Sequence, residues 1–78
     1  MDSICREIFR AIHEGRWLRI AYRNQKDEIT KYWIGIRSLD PRRGTLRVEG
    51  MHLRTCRIAE LDRIFIRSIQ EAQIVEGT

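Results

Sequence analysis

The sequence predicts a mainly β fold: one N-terminal helix followed by a small, strongly bent sheet of five antiparallel strands. Three observations lead there. The apolar spacing is helical over residues 4–14 and alternates with a period of two after Gly15. Turn chemistry recurs at short intervals, at 24–27, 40–44 and 50–51. The 78 residues leave room for a single domain, 1–78. A domain of that size buries only about 60 % of the surface its unfolded chain exposes, which favours a shallow groove on a β surface over a deep cleft.

The elements follow in order. Ile4, Ile8, Ala11 and Ile12 share one face of the predicted helix, with Arg6, Arg10, His13 and Glu14 on the others. Asp2 or Ser3 is available as its N-cap, and Gly15 suits the left-handed residue beyond its C-terminus. In the first strand, 17–23, Leu18, Ile20 and Tyr22 alternate with Arg19, Ala21 and Arg23. A polar turn at 24–27 leads to a longer strand from 29 to about 39. There Tyr32, Ile34 and Ile36 face inward and Lys31, Trp33 and Arg37 outward. Gly35 interrupts this strand and is expected to mark a bend or bulge.

Asp40-Pro41-Arg42-Arg43-Gly44 is the clearest local signal. Asp, Pro and a closing Gly in this order describe a type I turn that exits through a left-handed residue, hence a tight hairpin. A third strand is expected at 45–49, with Leu46 and Val48 inward and a reversal or kink at Gly50-Met51. A fourth follows at about 52–58, a short helical turn at 59–62, a fifth strand at 63–69 and a short final element at 70–75. Short glycine-bent strands closing on themselves, with the helix over one open end, describe an SH3-like or Sm-like barrel.

Composition narrows the function. The chain is 42 % apolar and 33 % charged, as a soluble globular domain is. No apolar run reaches the roughly 18 residues of a membrane span, and the N-terminus lacks a signal-peptide pattern, so a cytoplasmic location without membrane contact is expected. The net charge of +4 rests on thirteen arginines and two lysines. Guanidinium groups bind phosphate through a planar fork and stack on bases, so the excess points to nucleic acid or phosphorylated ligands. The plain alternative is ordinary surface pairing with the eleven acidic residues.

Cys5 and Cys56 read as small core thiols, or as a single bridge that a reducing compartment would keep open. No Cys/His spacing suits a metal, and no glycine-rich phosphate loop is present. His13, His52 and Cys56 form no nucleophile–base order. Neither an enzyme nor a cofactor is expected.

The order Ala11-Ile12, Leu18-Arg19-Ile20-Ala21-Tyr22, Lys31 with Leu39 eight residues on, and then the Gly44 hairpin resembles the WYL domain. So does the ending Arg54-Thr55-Cys56-Arg57 followed by Leu61-Asp62-Arg63-Ile64. The resemblance covers about residues 8–69. Leu46-Arg47-Val48 stands where that family carries Trp-Tyr-Leu, Gly35 where it carries proline, and Cys56 where its Arg-x-Phe segment has the aromatic.

The resemblance implies an Sm-like barrel that senses ligands. In bacteria such domains accompany helix-turn-helix or effector domains in transcription regulators and nucleic-acid-processing proteins. It implies single-stranded nucleic acid or a nucleotide as ligand, contacted by the closing arginines, and an effector domain elsewhere in a longer chain. Arg63, Arg54 and Arg57 are therefore the candidate phosphate contacts, against the alternative of salt bridges to Glu49, Glu60 and Asp62. Trp33, facing outward, is the candidate stacking platform, although an outward Trp can equally cover a helix. Two other readings remain: a protein–protein or homodimerisation module working through a strand edge, and a ring-forming Sm-like RNA-binding subunit. With its one helix committed to the core, the domain is not expected to read duplex sequence.

Overall fold

The computed structural model describes residues 3–59 and 61–76. Helix α1 spans Ser3–Glu14, and the strands are β1 Leu18–Arg23, β2 Ile29–Asp40, β3 Thr45–His52, β4 Ile58–Ala59, β5 Arg63–Phe65 and β6 Ile69–Ile74. A 3-10 turn, Ile66–Ser68, joins β5 to β6. All pairings are antiparallel. The order is β4-β3-β2-β1-β6, and β5 shares the β4 side of β3, so the sheet is five ranks wide.

This topology forces the sheet to curl. β5 and β6 lie at opposite margins, four inter-strand steps apart, or roughly 19 Å if the sheet were flat. The three-residue 3-10 turn between them advances only about 6 Å. The margins are therefore drawn toward each other, helped by bulges at Arg37 in β2 and Gln70 in β6, where the register slips by one residue. No ladder joins β5 to β6 among the described residues, so the expected barrel is not closed.

The concave face holds the core. Ile8 and Ala11 of α1 pack with Leu18, Ile20, Ile34, Leu46, Val48, Ile64, Ile69 and Ile74. Tyr22 and Tyr32 lie against this cluster half-buried, on the inward side that alternation assigns them. Ile12 departs from expectation, being 40 % exposed. The core lies on the Ile4–Ile8–Ala11 side of the helical stripe, which leaves Ile12 and Phe9 at its margin. Ser3 is already helical rather than a cap, and Asp2, the other candidate cap, lies outside the described residues.

Turn chemistry accounts for most boundaries. Asp40 Oδ1 accepts hydrogen bonds from the amides of Arg42 and Arg43 at 3.1 and 3.3 Å, and Gly44 leaves the turn at φ +64°. Asn24 Oδ1 closes the first hairpin by accepting from the amides of Lys26 and Glu28. Gly35 is not a bend: its register with Glu49 is regular. A Cβ there would lie 3.3 Å from the Glu49 side chain and 3.5 Å from the Trp17 ring, so the missing side chain makes room for two neighbours.

The second half departs further from the alternation. β3 runs straight through Gly50-Met51 to His52. Where a fourth strand was expected there is a hairpin loop, with His52 N–H donating to the Arg57 carbonyl and Cys56 N–H to the His52 carbonyl. Cys56 occupies the left-handed position at φ +56° and is exposed, so it is not a core thiol, and Cys5 and Cys56 form no disulfide. In place of the helical turn at 59–62, Ile58–Ala59 pairs with β3 and no helix includes Leu61 or Asp62; Glu60 lies outside the described residues. The strand expected at 63–69 is divided by the 3-10 turn, and the final element is a full sixth strand paired with β1.

Candidate functional site

Cross-strand partners share a face of a sheet, so the register lays out the convex surface row by row. One row runs Gln73–Arg19–Trp33–Met51–Ile58 across β6, β1, β2, β3 and β4. The next runs Glu71–Ala21–Lys31 across β6, β1 and β2. Arg19 thus stands directly opposite Trp33 and diagonal to Lys31. The face is basic, with an aromatic ring in its middle.

Beyond His52 the chain stays beside β2 for one more residue before the β3–β4 loop turns. Leu53 N–H donates to the Lys31 carbonyl at 3.3 Å, which holds the β3–β4 loop against β2. The loop sets Arg54 on the rim of a groove of about 570 Å³, lined also by Arg19, Lys31, His52, Thr30 and Glu28. The His52 ring is steadied by Tyr32, with centroids 4.8 Å apart and planes tilted by 45°. A neighbouring cavity of about 500 Å³ shares Arg19 and Lys31 and extends over Ala21 to Glu71 and Gln73.

Of the twelve other cations, six are ion-paired among the described residues. Arg10 and Arg16 contact Glu14, Arg23 contacts Asp27, Arg37 contacts Glu49, Arg43 contacts Asp40 and Arg47 contacts Asp62. Arg67 lies over the Phe65 ring at 4.7 Å. The hydrogen bond and charge of Glu14 raise the Arg10 pKa above its ordinary value. Among the described residues, Arg19, Lys31 and Arg54 form no ion pair. Three unneutralised cations around one groove, with a single carboxylate on its lining, create a positive potential suited to a phosphate-bearing ligand.

The residues singled out by sequence are brought together only in part. Arg54 and Arg57 lie on the same hairpin loop rather than on a strand, and only Arg54 lines the groove. Arg63, on β5, faces Arg47 across the ladder. Arg47 is five residues before His52 on β3, roughly 17 Å along the strand, so Arg63 lies apart from the groove. Neither Arg57 nor Arg63 has an ion-pair partner among the described residues; Glu49 and Asp62 pair with Arg37 and Arg47 instead. Trp33 is half-buried beside Arg19 and lines a smaller cavity with Arg19, Gln73 and Glu76.

Sequence reasoning missed Arg19 and Lys31 as site residues. Alternation placed both outward, and the Asn24 turn sets the register of the β1–β2 hairpin. Joining those two facts would have put Arg19 beside Trp33 and Lys31. Among the described residues, no group of three His, Cys, Asp or Glu side chains is placed to hold a metal ion, and no helix is long and apolar enough to cross a membrane. Compared with protein-family models, curated proteins and solved structures, the chain matches none.

Proposed function

We propose that this chain is a binding module of the WYL type, an Sm-like or SH3-like barrel open along one seam, that takes single-stranded nucleic acid or a nucleotide in the groove between Arg19, Lys31 and Arg54. The observation carrying this reading is the convergence of those three cations, from two strands and a loop, without ion-pair partners among the described residues. The resemblance of residues 8–69 to that family supports it. So does the curl of the sheet, whose last strand returns to pair with its first. Such a module serves as the sensing part of a bacterial transcription regulator or nucleic-acid-processing protein, in the cytoplasm, coupled to an effector domain. It carries out no chemistry of its own.

Binding is by charge first, with Trp33 offering one ring beside the groove. Arg63 and Arg57 do not line the groove and take no part in holding the phosphates. The test is amide and indole NMR during titration with a short pyrimidine strand. Shifts at Arg19, Lys31, Arg54 and the Trp33 indole, with little change at Arg63, are the expected result. Shifts confined to β5 and Arg63 would relocate the site, and none at all would reject it.

A second reading is favoured by one observation: Ile58, on the edge strand β4, is 87 % exposed and lies in one row with Met51 and Trp33. That row suits a protein–protein or homodimer contact. A solution mass of two protomers, lost in Ile58→Glu, would support it; five to seven protomers would instead indicate an Sm-like ring.

A further inference from the structure

The cavity over Ala21 is bipolar. Its floor is the small, buried Ala21 side chain, and across the sheet its banks are Lys31 on β2 and Glu71 on β6, the two cross-strand partners of that alanine. The banks are two strand spacings apart, roughly 10 Å between backbones. Both side chains are exposed, and neither forms an ion pair among the described residues, so each keeps its charge for a ligand. Arg19 adds a second cation on the cavity lining, and the other carboxylate there, Glu7, already accepts a hydrogen bond from the Ile74 amide.

We infer that Glu71 selects the base of the bound strand, favouring bases that present an exocyclic amine, cytosine above all, over thymine or uracil. The inference rests on the function proposed above. A carboxylate repels phosphate, so the ligand's backbone must lie on the Arg19–Lys31 side, and the base is directed across Ala21 toward Glu71. With the 4-position of the base turned toward Glu71, cytosine and thymine differ where they meet the carboxylate. The N4 amine of cytosine donates to a carboxylate, whereas the O4 carbonyl of thymine presents a second acceptor and is repelled. The cavity, about 500 Å³, has room for a base, so Glu71 supplies the discrimination and the cations supply the affinity.

The experiment compares binding of fluorescein-labelled oligo-dC and oligo-dT to the wild-type chain and to Glu71→Ala, by anisotropy at low salt. The wild type should bind oligo-dC at least about fivefold more tightly than oligo-dT. Glu71→Ala should bring the two to parity, chiefly by tightening oligo-dT, because a repulsive carboxylate has been removed. A general loss of folding cannot produce that gain. Equal salt-dependent binding of both strands by the wild type overturns the inference and leaves the proposed function standing, as does a cytosine preference that survives in Glu71→Ala. Absence of binding to either strand overturns both.

Discussion

Glu7 of α1 and Ile74 of β6 are joined side chain to backbone: the carboxylate Oε2 accepts the Ile74 amide hydrogen at 3.2 Å. β6 is a margin of the sheet, and its outward amides are a template for pairing with another chain. The helix packs along this strand and supplies one acceptor there. Glu7→Gln keeps a carbonyl oxygen in place and should leave stability nearly unchanged. Glu7→Ala leaves a partly buried donor without a partner and should cost about 1–2 kcal/mol in urea denaturation, with more concentration-dependent association.

The β3–β4 loop carries a correctable flaw. Cys56 sits at φ +56°, where a side chain crowds the following carbonyl, a cost of about 1–2 kcal/mol for a non-glycine residue. Cys56 is exposed, so little packing depends on its thiol. Cys56→Gly should raise the denaturation midpoint, by about 1 kcal/mol in stability after the unfolded chain's added freedom is counted. Cys56→Val, β-branched in the same conformation, should lower it.

The core has little reserve. Ile34 lies at the centre of β2 and is fully buried, and truncating such a side chain costs about 2–5 kcal/mol. Against the stability expected of so small a domain, that loss is large. Ile34→Ala should show a lowered melting temperature and a substantial unfolded fraction by circular dichroism at physiological temperature. Ile29→Ala, at a residue 55 % exposed, should be close to neutral.

How much of this was legible in the sequence depended on whether a feature was written locally. The Asp40–Gly44 hairpin and the end of α1 at Gly15 were, because each needs a left-handed residue and glycine marks it. The inward rows of β1, β2 and the first half of β3 were also legible, from plain alternation. The loop after His52 was not, since its left-handed residue is a cysteine and Arg-Thr-Cys-Arg reads as a continuing strand. β6 was seen only as a short element, because Gln70-Glu71-Ala72-Gln73 is polar and the bulge at Gln70 breaks the period between Ile69 and Ile74.

The site followed the same division. The outward direction of Arg19, Lys31 and Trp33 was readable, but their company with Arg54 depends on the conformation of the loop after His52. Arg63 drew attention through its resemblance motif, and three-dimensional register separates it from that company.

Arg19 and Lys31 are proposed to hold the phosphate backbone, and the salt dependence of binding counts those contacts. A labelled oligopyrimidine strand is titrated with the wild type, with the Arg19→Ala/Lys31→Ala double variant and with Arg63→Ala, by anisotropy across a salt series. For a single strand each lost phosphate contact should reduce the slope of log K against log salt by roughly 0.7, so the double variant should lose roughly 1.4. Arg63→Ala should keep the wild-type slope. A double variant that keeps the wild-type slope and affinity, or a slope that falls in Arg63→Ala instead, would mean that the backbone is held elsewhere on the domain.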